Sequence, residues 1–304
     1  MRSTLLSIVL AAVSITQIIA TPETTNTATS GSAQTIDDAT VLNFALTLEH
    51  LEKEFYAGAL AKFDQNAFLA AGLPPWARGR FSQIADHEKT HVDFLSKALG
   101  DKAVQACTYN FPYNDPRSFA ALSQILEGVG VSAYTGAAHL INNKDYLTAA
   151  ASILATESRH AAFVSSAVNR MSAWNGAFDI PLSLNEVYTL AANFIVSCPS
   201  TNAALPVKAF PALSIQLTAP GETAAVSAPS AVSPPTYIVF FSGLDKIFVK
   251  IMDGKVSIPK DLAETVYAVA TTSDSAATDD TIVAGPAILM YPKDSNNSLM
   301  AKKA

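Results

Sequence analysis

The stretch Ala85-Asp-His-Glu-Lys-Thr-His91 carries a glutamate and a histidine three residues apart, and Thr156-Glu-Ser-Arg-His160 repeats the pair as Glu157 and His160. Residues at i and i+3 share one face of a helix, so each pair aims a carboxylate and an imidazole in the same direction. One such pair is ordinarily an exposed polar couple. Two acquire a joint meaning if the flanking sequence turns both toward the inside of one bundle.

Working outward, Asp37-Asp38 supply an N-cap and a first-turn acid, and a helix is predicted to about Ala71, where Gly72 and Pro74-Pro75 stop it. A second helix starts near Pro75-Trp76 and ends at Gly100. After an aromatic crossover, Asp115-Pro116 opens a third helix that runs to about Ile141. Asn142-Asn143-Lys144 then turns into a fourth, from Asp145 to about Ala173. Short first and last links around a longer middle connection fit a crossover four-helix bundle better than a simple up-down one. Ser183-Leu-Asn-Glu186 is a capping box that opens a fifth helix, expected on the outside of the bundle.

In such a bundle, residues seven apart share a core stripe. The inward stripes are Leu42, Ala45, Glu49, Glu52 and Tyr56; Ile84, Glu88, His91 and Leu95; Gln124, Glu127, Val131, Tyr134 and Ala138; and Ile153, Glu157, His160 and Val164. The halves match, since Glu49 and Tyr56 are spaced like Glu127 and Tyr134. Only six glutamates occur between residues 38 and 172, and four of them sit at these matched positions. Solvated faces normally hold carboxylates, and burying them unpaired is costly. A bound cation is the simplest compensation, so Glu49, Glu88, His91, Glu127, Glu157 and His160 are the candidate ligands of a two-metal site. Glu52, one turn from Glu49, is an alternative ligand that ranks lower because Glu49 has the matched tyrosine spacing. Glu52, Tyr56 and Tyr134 are expected to surround the ligands, each tyrosine contacting a carboxylate of the other half. His50 and His139 lie beside the stripes.

Beyond about residue 205 the pattern turns to short strands, Ser214–Thr218, Tyr237–Phe241, Ile247–Ile251, Val256–Ile258, Thr265–Ala270 and Thr281–Val283, with Asp253-Gly254 as a hairpin signal. This predicts a small antiparallel sandwich. The whole is therefore expected to be an α+β multidomain chain: a bundle with an extra helix over 37–198, a linker over 199–209 and an all-β domain over 210–304.

Residues 1–20 read as a secretory signal peptide, with Arg2 ahead of the apolar core Leu5–Val13 and Ala20 at the cleavage position. Residues 21–36 read as a flexible leader. The apolar run is shorter than the roughly 20 residues a spanning helix needs, so no transmembrane segment is expected in the mature form. In a secreted chain the two cysteines, Cys107 and Cys198, are expected to form a disulfide. Asn296 begins a lone N-glycosylation sequon. A net charge of -6 leaves no general basic surface, which argues against nucleic acid as a partner.

The phrases Leu48-Glu-His-Leu-Glu52, Ala85–His91, Leu126-Glu-Gly-Val-Gly-Val-Ser-Ala-Tyr134 and Thr156–His160 resemble the ferritin-like superfamily, and within it the secreted fungal ferritin-like proteins associated with stress or desiccation. The resemblance implies Glu49 and Glu127 as terminal ligands, Glu88 and Glu157 as bridges, and His91 and His160 as one ligand to each metal. Some di-iron relatives place Asp directly before each Glu-x-x-His glutamate to orient a histidine. Here those positions are His87 and Thr156, so the groups around the ligands differ. Oxygen-rich donors with two imidazoles suit iron or manganese, and the resemblance favours iron. It implies a secreted or cell-wall protein with a di-iron carboxylate site that reacts with dioxygen or peroxide, ferroxidase-like, in stress response. If an enzyme, the chain is then a metal-dependent oxidoreductase. The alternatives are a dimanganese catalase-like enzyme, and a non-enzymatic surface or matrix protein with a structural or vestigial site, whose β domain meets a cell-wall or protein partner.

Overall fold

The computed structural model describes residues 36–229, 231 and 233–300; the expected signal peptide and all of the expected leader but its last residue lie outside them. The helices are α1 (Asp38–Lys62), α2 (Gln65–Ala70), α3 (Ala77–Leu99), α4 (Pro116–Ala137), α5 (Lys144–Phe163) and α6 (Leu184–Ala192). Caps fix most of the bundle's starts. The side chain of Asp37 accepts from Thr40 N at the head of α1, Asp115 and Ser118 form a capping box on α4, and Asn143 caps α5. Each satisfies amide groups that would otherwise be left without a partner. Helix α1 packs against α3, and α4 against α5. Both pairs run antiparallel: the Leu42 end of α1 meets Leu99 while Tyr56 meets Phe81, and Ala137 late in α4 clusters with Ala150 early in α5 while Ala120 near the start of α4 meets Asn169 beyond the end of α5.

Two helix ends differ from expectation. Phe63 turns extended and Asp64 caps α2, so the first long helix stops nine residues short of Ala71 and restarts as a separate turn. Helix α5 loosens into a π turn over Val164–Val168, where Asn169 donates to Ala120 O and Gln124 Oε1 in α4. Helix α6 is also not on the outside. It lies between α4 and the β region, with Val187, Leu190 and Ala191 buried in the bundle core and Asn185 donating to Asp279 at 2.7 Å. The chain approaching α6 crosses α4 so closely that a Cβ on Gly136 would sit 1.8 Å from the Leu182 carbonyl oxygen.

The strands are β1 (Thr108–Tyr109), β2 (Ile195–Ser197), β3 (Ser214–Ile215), β4 (Thr223–Ser227), β5 (Tyr237–Ser242), β6 (Asp245–Lys250), β7 (Lys255–Ser257), β8 (Glu264–Thr271) and β9 (Ile282–Tyr291). They form antiparallel sheets ordered β1-β2, β3-β4-β7 and β6-β5-β8-β9. The four-stranded sheet is buried on both faces. Ile238, Phe240, Val266 and Ala268 pack toward the three-stranded sheet, while the alternate residues Val239, Phe241, Tyr267 and Val269 join the bundle core. Burial on both sides explains why β5 is a continuous apolar run rather than an alternating one. A disulfide joins Cys107 to Cys198, beside the β1-β2 pairing, and ties the α3–α4 crossover to the segment after α6. No helix among the described residues is long and apolar enough to cross a membrane.

Candidate metal centre

The four long helices bring all six candidate residues together inside the bundle. Glu49 comes from α1, Glu88 and His91 from α3, Glu127 from α4, and Glu157 and His160 from α5. Each of the four glutamates is fully buried. His91 Nδ1 lies 3.2 Å from Glu49 Oε2, 3.1 Å from Glu88 Oε2 and 3.2 Å from Glu157 Oε1. His160 Nδ1 lies 3.1 Å from Glu88 Oε1, 3.2 Å from Glu127 Oε2 and 3.8 Å from Glu157 Oε2. The donor atoms thus fall into two groups of four, each within 4.8 Å, that share Glu88 and Glu157. Each shared carboxylate turns one oxygen toward each histidine. Glu49 meets only His91, and Glu127 meets only His160.

Tyrosines from opposite halves hold the outer carboxylates. Tyr134 in α4 donates to Glu49 Oε1 at 2.5 Å, and Tyr56 in α1 donates to Glu127 Oε1 while contacting Ser123 Oγ at 2.7 Å. The exchange across the bundle is the contact the matched spacing anticipates; Ser123 carried no sequence signal. Below Tyr56 the bundle is sealed by Phe55, Phe81 and Phe119, with ring centroids 4.7 Å apart for Phe81 and Phe119. At the Tyr134 end lies an apolar cavity of about 20 Å³ bordered by Val41, Leu48, Leu95, Tyr134 and Ile153.

Burial raises the Glu49 carboxyl to about 8, against the pull of His91. Burial, reinforced by the neighbouring carboxylates, also raises Glu52 and Glu127 well above the usual range. Burial opposes charge on both imidazoles, but hydrogen bonds to the glutamates outweigh it and lift His91 and His160 to about 12. Burial likewise opposes charge on Glu157, yet the two histidines beside it hold it near 2. The metal-free site is therefore a store of protons.

Those protons do not satisfy it. Each Nδ1 faces three carboxylates and has one proton to give, while Glu88 Oε1 and both oxygens of Glu157 are buried without a hydrogen-bond partner. Among the described residues no lysine or arginine pairs with any of the four glutamates. Four carboxylates and two neutral imidazoles would balance two divalent ions in charge, and the donor set is of the kind such ions take. The residues fit a bound metal, and Glu49, Glu127, Glu88, Glu157, His91 and His160 are the ones that could hold it.

The other sequence candidates fall outside the convergence. Glu52 is buried but contributes no atom to either group; its carboxylate rests against Gly130, whose missing side chain leaves it room. His50 donates from Nε2 to the Val104 carbonyl at 3.1 Å, and His139 is exposed in a 3-10 turn. Asn296 is exposed. At the positions preceding the two shared glutamates the halves differ: His87 Nδ1 lies 2.9 Å from His160 Nε2, whereas the Thr156 hydroxyl bonds back to Ser152 O.

Comparison with known proteins agrees with this architecture. The chain is 27% identical over 205 residues to Protein rds1 of Schizosaccharomyces pombe, an alignment covering 66% of this chain and 46% of that protein. It thus spans less than half the length of this curated relative. Residues 37–170 match the family described as Ferritin-like domain. The match over residues 37–170, together with a fungal relative, supports the ferritin-like superfamily for the four-helix bundle.

Proposed function

We propose that the four glutamates and two histidines hold two metal ions, iron favoured, and that the site reacts with dioxygen or peroxide and oxidises Fe(II) as a ferroxidase. The observation that carries this reading is the double reach of Glu88 and Glu157, each of which offers one oxygen to each histidine's group. Two adjacent ions of variable valence supply paired one-electron redox chemistry. The chain's own part is to hold them and keep the site dry. Glu88 and Glu157 would offer one oxygen to each ion, Tyr134 and Tyr56 orient the outer carboxylates, and the phenylalanine layer excludes water. We place the protein outside the cell or in the cell wall, in stress tolerance. The N-terminal signal pattern and the disulfide support that location.

The test is to add oxygen to chain reduced and loaded anaerobically with Fe(II). The expected result is oxygen uptake with Fe(II) oxidised well above the rate in buffer, both lost in the double variant Glu88→Ala with Glu157→Ala. Oxidation no faster than in buffer would overturn the reading. Peroxide dismutation by chain loaded with Mn(II) but not Fe(II) would replace it with the dimanganese one.

A further inference from the structure

The ligands obey an internal two-fold match, but their surroundings do not. His160 has a protein partner on its outer nitrogen: His87 Nδ1 stands 2.9 Å from His160 Nε2, with the two ring planes within 11° of each other. His87 precedes Glu88 in α3 and reaches the histidine of the other pair, in α5. Thr156 occupies the matching place before Glu157, but its hydroxyl is bonded to Ser152 O. Among the described residues His91 has no partner on Nε2, and its side chain is partly open, at 12% exposure against 7% for His160.

A histidine that binds a metal through Nδ1 must carry its proton on Nε2, and an acceptor there selects that tautomer and fixes the ring. We infer that His87 is a positioning residue that accepts the Nε2–H of His160, so that the two halves of the centre are unequal and the His160 half takes the first metal ion. With its Nε2–H accepted by His87, the His160 ring is held with Nδ1 facing Glu88, Glu127 and Glu157 before any metal arrives, and Nδ1 gives up its proton as the metal binds. His91 must settle its ring against solvent as the metal binds. This rests on the two-metal reading above and adds an order of loading to it. His87 itself is exposed, so its removal leaves the core intact.

The test is calorimetric titration of metal-free full chain with Mn(II), with anomalous diffraction of crystals given one equivalent. Two steps of unequal affinity are expected, with the first equivalent in the His160 half. His87→Ala weakens the tighter step by roughly 10- to 100-fold, the usual effect of losing such a partner, and leaves the weaker step unchanged. His87→Asp, which restores an acceptor, recovers most of the loss, while Thr156→Ala changes neither step. Equal steps in the native chain, first occupancy in the His91 half, or an unchanged tighter step in His87→Ala would overturn the inference while leaving two-metal binding in place. A native chain that takes up no Mn(II), Fe(II) or Zn(II) would instead overturn the reading beneath it, and this inference with it.

Discussion

Glu52 provides a test of the site's electrostatics that does not depend on metal. Its carboxylate is buried among four others and belongs to neither donor group, so Glu52→Gln removes a charge without removing a candidate ligand. Glu52 Oε1 and Glu157 Oε2 lie 3.2 and 3.6 Å from one point, the place a Cβ on Gly130 would take, so they are less than about 7 Å apart. At an effective dielectric of about 20, two unit charges at that separation repel by roughly 2.4 kcal/mol. The folded chain can avoid this by keeping Glu52 protonated. Measured from an ordinary carboxyl near 4.5, that choice costs about 1.4 kcal/mol for each pH unit above it, or roughly 3 kcal/mol at pH 7. Both routes give a similar penalty. The sign follows from the raised pKa: this group's contribution to stability is intact below about 4.5 and is lost as pH rises. Metal-free Glu52→Gln should therefore exceed the native chain in urea unfolding by about 2–3 kcal/mol at pH 7 and by less than about 1 kcal/mol at pH 5. In thermal unfolding this is a gain of roughly 5–10 °C at pH 7. A variant no more stable at pH 7, or one equally stabilised at both pH values, would refute the reasoning.

Tyr134→Phe and Tyr56→Phe each remove the donor that orients an outer carboxylate, and each should weaken metal binding in its own half by roughly tenfold or more, measured by the same calorimetric titration. Tyr56→Phe also leaves Ser123 without its 2.7 Å contact, so it should lower the stability of the metal-free chain as well, by about 1–3 kcal/mol in urea unfolding. Replacing Cys107 and Cys198 by serine opens a loop of 91 residues. In the chain-entropy account this costs up to roughly 4–5 kcal/mol, seen as an earlier urea midpoint, with metal stoichiometry unchanged.

The helical half was legible because several signals agreed. Caps at Asp37, Asp115 and Ser183 are local chemistry, and the seven-residue stripes place Glu49, Glu88, Glu127 and Glu157 without reference to distant contacts. The tyrosine exchange also followed from spacing, because a matched pair of halves imposes a matched pair of contacts. What escaped was settled by tertiary contact. The break at Phe63 depends on Asp64 capping a new turn, a choice that the helix-forming residues on either side conceal. The buried place of α6 could not be read, because its polar residues Asn185 and Thr189 serve the neighbouring loop: Asn185 accepts from Lys208 N and Thr189 from Phe210 N. Strand β4, Thr223-Ala-Ala-Val-Ser227, has too few large apolar residues to signal itself, and β1 and β2 are too short to show a period. The position of His87 was visible as a departure, but its partner His160 became evident only once α3 and α5 faced each other.

The central claim is that this bundle holds two metal ions in one carboxylate site. Elemental analysis of natively purified chain, beside the Glu88→Ala with Glu157→Ala double variant, tests it most directly. The account predicts two ions per chain in the native protein and none in the variant. A native chain that is empty as purified, and that takes up no Fe(II) or Mn(II) when offered, would contradict it.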